Sequence, residues 1–139
     1  MSNHITNVLH VGISVSDMER SLKWYKEVMG FEQIMKDDYV PPLGARIVFI
    51  RGWGGFEIEL FQYDEPKAIP EGRLKPNSDL QTIGTKHVAF QVSDMAGFKA
   101  KAVAYGVDIA HEVTMCGESV MFIRDADGVL VELIQPPVC

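Results

Sequence analysis

Residues 9–21, LHVGISVSDMERS, are answered by residues 86–98, KHVAFQVSDMAGF. In each stretch a lone histidine, His10 or His87, opens an alternating apolar run that closes on the same Val-Ser-Asp-Met. Alternation with period two is the signature of a half-buried strand. An imidazole placed in such a strand needs a polar partner, because an unpaired polar group is costly to bury.

A second match lies further on, where FIRGWGGFEIELFQ (49–62) aligns with FIRDADGVLVELIQ (122–135). The early stretches recur at a slightly longer interval than the late ones, and the extra turn residues VPPLG of the first half absorb the difference. Self-similarity of this kind marks two copies of one supersecondary unit. Each copy opens with a strand, Val8 to Val15 or His87 to Val92, and continues into a helix. In the first helix Ser16 reads as the N-cap with Glu19 completing a capping box, Leu22, Tyr25, Val28 and Met29 form the apolar face, and Gly30 ends it. In the second, Ser93 is the expected cap, Phe98 and Val103 the face and Gly106 the stop. Three short strands follow in each copy, at 31–37, 45–51 and 56–62, then at 107–114, 118–124 and 129–135, with turns at GWGG and DADG.

These readings predict an α+β fold of one domain, residues 1–139, built from two tandem β-α-β-β-β modules at 6–63 and 84–136. The segment 64–83 joins them, carries Pro66, Pro70 and Pro76, and shows no periodicity of its own. A connection of that length is usually functional or interfacial, so it is expected to cover a pocket or reach a second chain.

The formal charge is −6, and the 13 Lys and Arg are scattered rather than gathered into a stripe, which argues against nucleic acid or an anionic membrane as a partner. No apolar run reaches the roughly 18 residues of a membrane span, and MSNHITNV lacks the features of a signal peptide. The expectation is a cytoplasmic protein acting on a small molecule. The two cysteines, Cys116 and Cys139, have no metal or redox spacing; Cys116 falls in a hairpin turn and Cys139 is a terminal bystander.

Glu59 and Glu132 coincide in the second alignment, each a carboxylate inside an apolar run. Strand alternation puts Glu59 on the face of Glu57 and Phe61, and Glu132 on that of Leu130 and Ile134, away from the residues that pack under a helix. A carboxylate there is costly unless paired or bound to a cation. Two histidines and two glutamates at matching repeat positions form a minimal set for a divalent metal, leaving two open positions on a six-coordinate ion. Nickel, cobalt, zinc, manganese and iron all suit His10, Glu59, His87 and Glu132, and the two carboxylates neutralise the 2+ charge.

The stretches LHVGISVSDMERSLKWYKEVMGF, FEIELFQ, KHVAFQVSD and DADGVLVELIQP resemble the vicinal oxygen chelate superfamily, which includes glyoxalase I, methylmalonyl-CoA epimerase, extradiol dioxygenases and the fosfomycin and bleomycin resistance proteins. The resemblance covers nearly the whole chain and implies a cup of sheet around the metal, whose ligands map onto His10, Glu59, His87 and Glu132. It is strongest to glyoxalase I (lactoylglutathione lyase), because the dioxygenases use one glutamate and the epimerases typically have glutamine at the position of Glu59. The implied reaction places a substrate oxygen on the metal and removes the adjacent C–H proton through an enediolate, with Glu132 or Glu59 as the base. The alternatives are an epimerase or sugar isomerase, an iron-dependent dioxygenase, and a metal-free binding protein of the antibiotic-resistance kind. A homodimer is implied, with the modules paired within one chain or across two.

Of the remaining residues, Glu57 is expected as a solvated carboxylate at the mouth of the cup, and Arg51 and Arg124 as exposed strand ends. Trp53, Phe56, Phe61, Phe90, Met115, Met121 and Phe122 are expected to line or support the cup, most of them as plain core. His4 and His111 have no repeat counterparts and are expected near the surface.

Overall fold

The histidine-led runs become short edge strands, and the order β-α-β-β-β appears twice in the computed structural model, which describes residues 4–137. The first block contains β1 (His10–Ser14), α1 (Met18–Met29), β2 (Gln33–Val40), β3 (Ala45–Arg51) and β4 (Glu57–Tyr63). The second contains β5 (Val88–Gln91), α3 (Met95–Tyr105), β6 (Asp108–Met115), β7 (Glu118–Arg124) and β8 (Leu130–Gln135). Each block forms one four-stranded mixed sheet, in the order β1-β4-β3-β2 or β5-β8-β7-β6, with the first strand parallel to the last. Corresponding bulges interrupt the outer hairpins, between Ile34 and Lys36 and between Ile109 and His111. The repeat therefore extends to backbone irregularities.

Both helices begin one residue later than the capping-box reading places them. Asp17 and Asp94 are the N-caps, each accepting from an amide three residues on, at Arg20 (3.2 Å) and Gly97 (2.9 Å). A carboxylate serves this position as well as a hydroxyl. Ser16 is thereby released to bond Asp127 of the second block, and Glu19 turns to Arg46 at 2.6 Å. The repeated Gln62 and Gln135 reach from the ends of β4 and β8 to the amides of Met18 and Met95, satisfying a first-turn donor of each helix. Gly30 and Gly106 end the helices in the left-handed region, as their positions in the sequence predict.

The segment between the blocks is more ordered than its lack of periodicity suggests. It contains a 3-10 turn at Glu71–Arg73 and a short helix, α2 (Pro76–Gln81), started by Pro76 in the first turn. Proline punctuation and short length hide such a helix from a search for repeating apolar positions.

One core serves both blocks. Ile13, Val48, Ile58 and Leu60 of the first sheet pack in the same cluster as Phe90, Ile123, Val131 and Leu133 of the second, with Tyr25 and Met18 of α1 and Met95 of α3. Burying each such side chain contributes on the order of 1.5–3 kcal/mol. Phe90 sits edge-on to Phe31 and Phe56, both at 5.8 Å, across the boundary between blocks. Tyr25 crosses the same boundary to donate to Asp125 at 2.7 Å. Because both sheets turn their helix-covered faces to this core, their opposite, open faces are directed away from it. Among the described residues no helix is long and apolar enough to cross a membrane.

Candidate metal centre

On the open face of the first sheet, parallel register sets Glu59 beside Gly12 of β1, and antiparallel register sets it beside Phe49 of β3. His10, two residues before Gly12, shares that face. Its Nε2 lies 2.8 Å from Glu59 Oε2. The second sheet repeats the arrangement, with Glu132 in register with Ala89 and Phe122, and His87 Nε2 at 2.8 Å from Glu132 Oε2. Each imidazole is met edge-on by the matching phenylalanine, His10 by Phe49 at 5.3 Å and His87 by Phe122 at 4.9 Å.

The histidines, costly as isolated strand residues, are therefore each paired with the glutamate that the repeat assigns to the same block. The structure brings the four expected ligands together as two pairs. Among the described residues no three His, Cys, Asp or Glu side chains are placed to hold one ion. The physical reason is the shared core, which turns the two open faces outward and separates the pairs within a chain.

Each pair fits one half of a divalent site. Two donors about 2.1 Å from an ion and at right angles lie about 3 Å from each other, close to the 2.8 Å observed. Nitrogen and carboxylate donors suit the borderline divalent metals, and binding such an ion requires Nε2 and the carboxylate to be free of protons. The carboxylates are equally exposed, at 16%, whereas the His10 side chain is 35% exposed and that of His87 is 15%. Position in the sheet alone gives neither glutamate a distinct role.

Several neighbours differ from their expected places. Glu57 is ion-paired with Arg51 at 2.6 Å rather than solvated, the two being in direct register across β3 and β4. Arg124 is held by Asp108 at 3.0 Å and by the carbonyl of Leu74 at 2.8 Å, so it too is engaged rather than a loose strand end. Phe61 and Phe122 lie on open faces, while Phe90 and Met121 belong to the core and Met115 is exposed. Trp53 stacks on Phe56 and is exposed on its other side. His111 stands opposite Phe122 in β6, on the open face. Phe49 is the residue that reading by chemistry passes over; it heads the stretch FIRGWGG and aligns with Phe122, and that repeat is the signal that marks it. Cys116 is exposed in the β6–β7 turn, at φ 53°, and Cys139 lies outside the described residues.

A cavity of about 1180 Å³ lies between the blocks and under the connecting segment. His87 is part of its wall, together with the edge of β1 from Val11 to Ser16 and the connecting residues Pro66, Ile69 and Arg73.

Comparison with known proteins agrees with this fold. The chain is 31% identical over 139 residues to human mitochondrial methylmalonyl-CoA epimerase, covering 91% of this chain and 72% of that one. It is 28% identical over 134 residues to a probable lactoylglutathione lyase of Vibrio parahaemolyticus, covering 92% and 89%. The crystal structure of a glyoxalase family protein from Enterococcus faecalis superposes with a TM-score of 0.77 at 24% identity, over 93% of this chain and 97% of that one, a likeness of fold. The model of the glyoxalase/bleomycin resistance protein/dioxygenase superfamily matches residues 7–133. By that match over most of its length, the chain belongs to the glyoxalase/bleomycin resistance protein/dioxygenase superfamily.

Proposed function

We propose that this protein is a homodimeric, divalent-metal-dependent lyase or isomerase of the glyoxalase I type, each metal centre combining His10 and Glu59 of one chain with His87 and Glu132 of the other. The observation that carries the reading is the pair of matching His–Glu contacts, each at 2.8 Å on an outward-facing sheet, with no third ligand supplied within the described chain. Two half-sites facing away from one core are completed by a twofold-related copy, which supplies both missing halves at once.

A bound ion would supply Lewis acidity to a substrate carbonyl or hydroxyl oxygen. His10 and His87 hold their positions through edge contacts with Phe49 and Phe122 and serve as ligands throughout. Glu132 takes the proton from the carbon next to that oxygen and returns it to the neighbouring carbon, acting in turn as base and acid. Its assignment over Glu59 rests on its partner, since His87 lines the cavity through which a substrate arrives. Arg51 neutralises Glu57 beside the site, leaving the two ligand carboxylates to balance the ion.

An epimerase of thioester substrates is the second reading, favoured by the 31% identity to the human epimerase. It shares the proton abstraction by Glu132 and differs in the return, in which Glu59 would protonate the same carbon from the opposite face. An iron-dependent dioxygenase is disfavoured by the second carboxylate, and a metal-free binding protein by two paired His–Glu sets with no other evident purpose.

The test is elemental analysis of the dialysed protein beside a Glu59→Gln, Glu132→Gln double variant, followed by a screen of thiohemiacetals and CoA thioesters for metal-dependent exchange of the C–H proton in heavy water. About one ion per chain, lost in the variant, is expected for this ligand count. Exchange lost in Glu132→Gln but kept in part in Glu59→Gln assigns the base. No metal in the wild type, even after reconstitution, contradicts the reading.

A further inference from the structure

The cavity under the connecting segment has a charge arrangement that the metal pairs do not explain. Asp79 of α2 is 2% exposed in its wall. It accepts from Arg73 Nε at 3.3 Å and faces Lys86 Nζ at 3.5 Å. Lys86 is spent on this strut, since it also donates to the carbonyls of Asp79 (2.6 Å) and Thr82. Arg73 is not, because among the described residues only its Nε is engaged, and its side chain is 45% exposed. The buried carboxylate thus fixes a guanidinium at the cavity wall with its two terminal NH2 groups uncommitted.

The other lining charges either cancel or are taken. Asp127 is bound to Ser16 and to Arg20 at 3.0 Å, whereas Lys67 and Glu65, two residues apart on the connecting segment, have no ion pair among the described residues. An apolar wall of Val11, Phe61, Ile69, Val88, Val129 and Leu130 runs from the edge of β1 to the neighbourhood of His87, with Ser14, Ser16 and Thr85 adding neutral polar groups. The connecting segment is latched over this space by Arg124 on Leu74 O, and the Leu74 and Ile69 side chains close on Gly128, where an added Cβ would meet Leu74 Cδ2 at 2.7 Å.

We infer that this cavity is a binding chamber for an apolar acyl or aryl chain carrying one carboxylate, with Arg73 as the residue that reads the carboxylate and Asp79 as the residue that positions Arg73. Resting on the proposed function, it names the substrate class: a carbonyl or hydroxyl compound whose reacting end is at the His87 half-site and whose distal arm is apolar and ends in an anion. A guanidinium offers paired donors to a carboxylate, and partial exclusion of water strengthens that contact relative to solvent. A volume of about 1180 Å³, somewhat above the roughly 300–1000 Å³ usual for small-molecule sites, admits such an arm.

The chamber is tested on metal-free protein, so that the outcome does not depend on whether the metal reading holds. Calorimetric titrations with octanoate, octylamine and octanol are compared in the wild type, Arg73→Leu, Arg73→Lys and Ala68→Trp, with thermal unfolding recorded for each. Octanoate is expected to bind saturably, about tenfold more tightly than octylamine. Arg73→Leu abolishes that preference while leaving octanol unchanged, Arg73→Lys keeps it, and Ala68→Trp weakens all three probes. Absence of saturable octanoate binding, equal binding of the amine, or a preference that survives in a folded Arg73→Leu protein overturns the inference. Loss of metal binding in the separate elemental analysis, with octanoate selectivity intact, removes the catalytic reading and leaves the chamber standing.

Discussion

Tyr25 donates its hydroxyl to Asp125 across 2.7 Å in the interior, tying the helix of the first module to the final turn of the second. Asp125 Oδ1 in turn accepts from the amides of Asp127 and Val129, each at 2.9 Å, so this one carboxylate organises the turn that leads into the strand of Glu132. The contact fixes how the modules face each other, and hence that their open faces point outward.

Removing the hydroxyl leaves Asp125 Oδ2 buried without its donor. Tyr25→Phe is expected to cost about 1–3 kcal/mol of stability, measured by denaturant unfolding. A variant as stable as the wild type means that water or another donor replaces the hydroxyl.

Burial holds the Asp125 carboxyl above its ordinary value of 3.8, although Tyr25 and the two amides pull it down. A carboxyl whose pKa rises on folding binds its proton more tightly in the folded state. Its contribution is therefore most favourable below the unfolded value and is lost as pH climbs through the folded one. Relative to Asp125→Asn, which does not titrate, wild-type stability is expected to decline as pH rises from about 4 towards neutrality. A difference that is flat with pH contradicts the shift.

Phe90 is where the two modules interlock, edge-on to Phe31 and Phe56 and 6.1 Å from Trp53. Phe90→Ala is expected to lose about 3–5 kcal/mol, through lost burial and the cavity left behind. Trp53 fluorescence follows the same transition, because the indole packs on this ring.

Phe49 orients the His10 ring without touching an ion itself. Phe49→Leu is expected to lower metal affinity about tenfold while leaving stoichiometry unchanged. Competition with a chromogenic chelator measures it, and unchanged affinity shows that Glu59 alone orients the ring.

The architecture was legible because the chain states it twice. His10 and His87, Glu59 and Glu132, and the two Val-Ser-Asp-Met closures fixed the strands, helices and candidate ligands by comparison within one sequence. What periodicity missed was settled by competition between side chains. Ser16 and Asp17 can both cap a helix, and only the presence of Asp127 across the module boundary diverts the serine. Arg51 and Arg124 look like free strand ends until register supplies Glu57 and the folded connection supplies the carbonyl of Leu74. The candidate ligands could be named from the repeat, while the choice between pairing within one chain and across two could not, since which faces of the two sheets meet depends on Phe31, Phe90 and Tyr25 packing across the boundary.

The composite centre is tested most directly by subunit mixing. A His10→Ala, Glu59→Gln protein and a His87→Ala, Glu132→Gln protein each lack half of every site, and neither alone is expected to bind the metal tightly. If centres are shared between chains, a heterodimer of the two rebuilds one intact site from the undamaged halves. Random exchange then restores about a quarter of the wild-type metal content. A mixture that binds no more metal than its separate components, under conditions where exchange of subunits is demonstrated, contradicts a centre shared between chains.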